Sequence, residues 1–152
     1  MYWLKLSALE SEIKLGELSD QKGISYLLAN FIVFSIASIN STESLTTQDL
    51  GIELLGLIIQ VLLIIVTIKQ SYYIYAQKSN TGFVKSFLAV YWVIGFRLFL
   101  ITIFVIIVST FIDHEWMKKH LDNTLGWVII GLLLGIAFYV LTIQSFKRIT
   151  NN

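Results

Sequence analysis

Four apolar stretches fill most of this 152-residue chain, and only one of them carries a charge at its centre, Arg97. About 20 consecutive apolar residues cross the hydrocarbon core of a bilayer as a helix, and a helix satisfies its own backbone polar groups where water is absent. The stretches lie at about residues 24–39, 50–68, 87–112 and 125–146. They predict an all-α integral membrane protein, a four-span transmembrane helical bundle in which residues 1–152 form one membrane domain. Hydrophobic residues make up 56% of the chain and charged residues 14%, with a mean hydropathy of +0.75. That leaves too little polar surface for a water-soluble fold and no length for a separate soluble domain.

The first stretch is short for a crossing, so it is expected to begin a turn earlier, with Ser19 as its N-cap. The second is expected to continue as helix through Tyr72, Tyr73 and Tyr75. The third is the longest and should tilt or project beyond the hydrocarbon. Proline is absent, which favours straight, continuous helices over the broken spans of rocking transporters.

Placement of Lys and Arg sets the expected orientation. Lys5, Lys14 and Lys22 precede the first span, Lys69, Lys78 and Lys85 surround the middle connection, and Lys147 and Arg148 end the fourth. The other two loops hold only Lys118 and Lys119. The positive-inside rule then puts both termini in the cytoplasm, in a cytoplasmic (inner) membrane. Tyr26, Tyr72, Tyr73 and Tyr75 are expected at the inner interface, with Trp116 and Trp127 at the outer one. A cleaved signal peptide is the rival reading of the first span, since Ser35 and Ala37 are small residues at cleavage spacing. The preceding segment is long and carries Glu10, Glu12, Glu17 and Asp20, unlike the short positive start of a signal.

Residues 1–19 read as a cytoplasmic amphipathic segment. Tyr2, Leu6, Leu9 and Ile13 form one apolar stripe at helical spacing, and Leu4, Ala8, Leu15 and Leu18 form a second on roughly the opposite side. Such a helix is expected in the membrane interface, as an anchor for the first span or with its second face turned to a partner.

Arg97 is the first candidate for a function beyond spanning. A mid-membrane Arg costs about 2.5–3.5 kcal/mol on insertion scales, and its donors need a partner, water or a route to the interface. Counted from the nearest Lys at about 1.5 Å per residue, Arg97, Gln60, Asn30 and Tyr139 fall at similar depths. The expectation is a buried polar layer of these four, with Glu53 as the acid able to approach Arg97. Its functional reading is an ion path or small-ligand site; its bland reading is interhelical glue. Glu53, Gly56, Gln60 and Thr67 share one helical stripe, expected to face the bundle or a neighbouring copy. Gly131 and Gly135 form a GxxxG pair, expected with Gly56 to mark helix packing.

One loop resembles chemistry without its geometry. Asp113, His114, Glu115, His120 and Asp122 cluster between the third and fourth spans. The two His are not four residues apart, so a helix would not present both to one zinc ion. A polar cap is the expected role, and no metal site is assigned. Cysteine is absent, which removes thiolate chemistry and Cys-ligated metals. No phosphate-binding loop, nucleophile elbow or intramembrane carboxylate pair occurs, so no enzyme activity and no cofactor are expected. A net charge of +1 without a basic stripe argues against nucleic acid.

What remains is a non-enzymatic membrane protein of interaction or accessory type. Its expected partners are the lipid bilayer and either itself or another membrane protein. The alternative is an oligomeric pore with Arg97, Gln60 and Glu53 along the path.

Overall fold

A computed structural model describes residues 2, 4–37, 47–78, 82–112 and 124–151. Five helices follow one another: α1 (Leu6–Lys14), α2 (Asp20–Ala37), α3 (Thr47–Ala76), α4 (Phe83–Ile112) and α5 (Thr124–Thr150). No strand occurs among the described residues. Three segments are long and apolar enough to cross a membrane: Leu50–Ala76, Phe83–Val105 and Val128–Thr150. Each lies in a helix that runs a turn or more beyond the apolar stretch read from sequence, because polar residues such as Gln70 and Lys147 are good helix formers. The last two residues of the first expected span, 38–39, lie outside the described residues. So do Trp116 and the Asp113–Asp122 cluster.

α4 is the hub, and it packs against each of the other four helices. It is apolar on every side: its first half is surrounded by the other helices, and its far half carries exposed apolar residues such as Phe104. Ala89, Val90, Trp92, Val93 and Ile94 are its buried apolar residues, with Ser86 buried beside them. The widest contact joins α3 to α5. There Gly56 faces Val128, Gln60 faces Gly131, Leu63 faces Gly135 and Gln70 meets Tyr139. The partner numbers rise together, so α3 and α5 run parallel. Along α5, Val128, Gly131, Gly135, Phe138, Thr142, Ser145 and Ile149 recur at alternating three- and four-residue steps, the seam spacing of coiled-coil packing. α2 runs parallel to α4 by the same reasoning, with Gly23 against Lys85 and Asn30 and Tyr91 lining one cleft.

Burial is uneven along the bundle. The core lies at the Lys-rich end, where Tyr26, Tyr75, Val90, Val93, Phe146 and Ile149 enclose Leu6, Leu9 and Ile13 of α1. Tyr75, Phe83, Phe87 and Phe146 form an aromatic cluster across α3, α4 and α5. Beyond Arg97 the helices present large apolar side chains outward, among them Phe104 at 67% and Leu133 at 61% exposure. Lipid tails solvate such surfaces as well as protein does.

α1 does not lie flat beside the bundle. Leu4 reaches Arg97 at one end of this segment, while at the other Lys14 Nζ donates to the Asn151 carbonyl at 2.8 Å. The segment therefore runs antiparallel to α4, from the level of Arg97 down to the Lys-rich end. The stripe of Leu6, Leu9 and Ile13 supplies the buried face; of the other stripe Leu4 and Leu15 are exposed, but Leu18, beyond the end of α1, is buried in the same core. Gly16, at φ 72°, closes α1 in a Schellman turn: Glu17 N donates to Glu12 O and Gly16 N to Ile13 O, both at 3.0 Å.

Three ion pairs tie this end together. Glu12, itself buried, accepts from Lys22 at 2.6 Å; Glu10 pairs with Arg148 at 2.7 Å; Asp20 pairs with Lys85 at 2.8 Å. The hydrogen bond from Lys85, and then its charge, hold the Asp20 carboxyl below the usual carboxylate range. Tyr26 is not an interface anchor: it is fully buried, and its hydroxyl accepts from Tyr2 N at 2.8 Å.

Candidate functional site

The helices sort the five polar residues singled out by depth into separate contacts. Arg97 is engaged by the N-terminal segment: its Nε donates to the Leu4 carbonyl at 2.9 Å, and Nη2 donates to the same oxygen. Charged donors to a carbonyl make the stronger class of hydrogen bond. Glu53 is exposed on α3, and no ion pair joins it to Arg97 among the described residues. Tyr139 Oη donates to Gln70 Oε1 at 2.7 Å, across the parallel α3–α5 contact. Asn30 Nδ2 donates to the Tyr26 carbonyl one turn earlier, at 2.8 Å.

What the structure does bring together is a polar line through Tyr91. Gln60, Thr67 and Tyr91 line a cleft of about 270 Å3 between α3, α4 and α5, closed on one side by Gly131 and Gly135. Asn30 and Tyr91 line a second cleft, of about 380 Å3, between α2, α3 and α4. Tyr91 and Ile64 divide the two. Thr67 is buried, and its hydroxyl donates to the Leu63 carbonyl at 2.7 Å, so it offers only acceptor capacity to the first cleft. The Gln60 amide sits over Gly131, where an added methyl group would lie 2.7 Å from Nε2. Gly131 thus makes room for a polar side chain, and Gly56 for Val128, whose Cγ1 would lie 2.8 Å from a methyl there. Gly135 is less constrained, with Leu63 Cδ1 at 3.4 Å.

Tyr91 was missed by counting depth because a Tyr in an apolar run reads as one more aromatic. Its signal was available: it lies six residues after Lys85, about 9 Å along the helix, too deep for an interface anchor. Ser71, Thr142 and Ser145 were also missed. They are fully buried at the Lys-rich end of α3 and α5, and their hydroxyls have no hydrogen-bond partner among the described residues.

The Arg97–Leu4 contact makes a direct prediction. Arg97→Leu removes both donors, and bonds from charged groups are worth about 1.5–3 kcal/mol. The N-terminal segment should detach from α4 more often. The chain has no native cysteine, so Leu9→Cys, at a position now 0% exposed, gives a unique probe. Its labelling by a water-soluble maleimide should rise about tenfold or more in the Arg97→Leu background. Unchanged labelling would mean that Arg97 does not hold the segment.

The chain matches no protein family, no characterised protein and no solved structure in comparisons with each. The fold and its polar interior therefore define a class alone: an all-helical bundle with three helices of membrane-crossing length and composition.

Proposed function

We propose that this chain is a non-enzymatic membrane protein of four crossings that works by binding other membrane proteins or further copies of itself. In this reading α2 is the fourth crossing, the C-terminus is cytoplasmic, the N-terminal segment reaches from that side into the bundle as far as Arg97, and the membrane is the cytoplasmic (inner) one. The parallel course of α2 beside α4 supports the fourth crossing, and the Lys-rich end supports the orientation.

One observation carries the functional reading. Arg97, the one charge at the centre of an apolar stretch, is spent on the chain's own backbone at Leu4. A residue that conducts ions must instead exchange its partners with the passing ion. Meanwhile the far halves of α3, α4 and α5 carry uncovered Leu, Ile, Val and Phe, a surface suited to lipid and to partner helices.

Two measurements on purified protein in liposomes test this. Ion flux should not exceed that of empty liposomes. Single cysteines replacing Leu57 and Ile101, which are 59% and 55% exposed, should cross-link to a second copy or to a co-purifying membrane protein. Flux that disappears in a folded Arg97→Leu variant would overturn the proposal and establish an oligomeric pore.

A further inference from the structure

At the Lys-rich end a cavity of about 320 Å3 opens between the ends of α1, α3 and α5 and the start of α4. Lys14, Lys78 and Lys85 all border it, with Ser86 on its wall. Lys14 Nζ donates to Asn151 O at 2.8 Å, Lys78 Nζ to Ile149 O at 3.3 Å and Lys85 Nζ to Asp20 Oδ1 at 2.8 Å. An ammonium has three donors, so each lysine keeps donors in reserve. Asp20 is the one carboxylate paired with these three cations among the described residues. The start of the long helix α4 also borders the cavity and has no acidic residue in its first turn. Its positive dipole end therefore adds to the surplus positive charge.

The cavity does not end there. A wider, apolar groove of about 580 Å3 shares Gly82 and Lys85 with it, and is walled by Leu27 of α2 and Leu88 of α4. Those two leucines in turn open onto the cleft of Asn30 and Tyr91. The three spaces form one path because α2 and α3 each pack on α4 but do not pack on each other among the described residues. From Gly82 to Tyr91 is about 13 Å of helix rise, close to one leaflet's share of a hydrocarbon core about 30 Å thick.

We infer that this path binds one anionic phospholipid, with its phosphate at Lys14, Lys78 and Lys85 and an acyl chain in the slot between α2 and α3. Basic pockets between membrane helices recognise such headgroups through charge and hydrogen bonds together. Phosphate from solution would meet the same lysines but leave the apolar slot empty, and the slot is what selects lipid. The inference rests on the membrane-length helices and not on the binding role proposed above.

Native mass spectrometry of the full chain in neutral detergent tests it, with phosphatidylglycerol, phosphatidylcholine and inorganic phosphate as probes. Phosphatidylglycerol should be retained about tenfold better than phosphatidylcholine. The double variant Lys14→Gln/Lys78→Gln should abolish that preference, while Lys69→Gln/Lys147→Gln, of equal charge change but away from the cavity, should keep it. Leu27→Trp, which fills the slot without touching a lysine, should weaken phosphatidylglycerol retention and leave phosphate binding unchanged. Equal retention of the two lipids would overturn the inference, as would an equal loss in both lysine pairs. Displacement of phosphatidylglycerol by inorganic phosphate, with no effect of Leu27→Trp, would overturn the lipid assignment in favour of a free anion.

Discussion

Replacing Phe146 by alanine is expected to lower the stability of the bundle by about 3–5 kcal/mol, the usual range for deleting a buried aromatic ring. Phe146 is 0% exposed. Its ring centroid lies 6.0 Å from Tyr75 in an edge-on contact, 5.9 Å from Phe83 and 6.2 Å from Phe87. One side chain of α5 thereby touches rings from both α3 and α4. The vacated space cannot close easily, because those rings also pack on one another and on Tyr72. Membrane association lacks a hydrophobic driving force between helices and depends on packing contacts, so the loss should not be softened by lipid unless lipid enters the gap. Unfolding in detergent followed by circular dichroism checks the size of the effect. Phe104→Ala is the control: Phe104 is 67% exposed on the far half of α4, and its loss should cost about 1 kcal/mol or less. Equal costs at the two positions would mean that the aromatic cluster does not anchor the helices.

The long helices were legible because an apolar run of span length has few other fates. Their ends were partly so: α3 continues through Tyr72, Tyr73 and Tyr75 as expected, to Ala76, while α5 runs on past its apolar stretch through Lys147 and Arg148 to Thr150. The course of α1 was only half legible. Spacing marked Leu6, Leu9 and Ile13 as one face, but periodicity cannot say whether a face meets lipid or protein. Amphipathic stripes look alike in both settings, and the Arg97–Leu4 contact joins positions 93 residues apart.

The polar residues show the same division. Counting from lysines put Gln60 and Tyr139 at one level, but Gln60 lies opposite Gly131, eight residues and about 12 Å before Tyr139 along α5, so Lys69 and Lys147 do not mark a common depth. Gln60 meets Gly131 while Tyr139 meets the more distant Gln70, because α3 and α5 run parallel in nearly constant register. The three- and four-residue steps along α5 mark the face it turns to α3 but not the register between the two helices. Gly23 was overlooked because it sits beside Lys22, where an interface explains any small or polar residue.

Gly23→Val should therefore be among the most damaging single changes. A methyl group at Gly23 would lie 2.9 Å from Lys85 Cβ and 3.7 Å from Lys85 Cα. A clash with the end of a flexible side chain can swing away, but Cβ is fixed to its backbone. The helices must separate, and overpacking of this kind costs about 1–3 kcal/mol. α4 is the only helix whose backbone packs against α2 among the described residues, and its other ties are side-chain contacts to the N-terminal segment. The damage should also spread to α1. Asp20, Lys22 and Tyr26 stand within one turn of Gly23, and they hold Lys85, Glu12 and the Tyr2 amide respectively. The expected result is lower stability together with faster labelling of the Leu9→Cys probe, a residue that Gly23 does not touch. Gly51→Val is the matched control, since nothing lies within 4 Å of a methyl group at Gly51, and replacing an exposed helical glycine removes its entropic penalty. If both variants keep full stability and slow labelling, α2 does not lie as close to α4 as Gly23 allows. If Gly23→Val alone fails on both measures, one glycine sets the spacing on which α2, the N-terminal segment and the slot above α4 all depend.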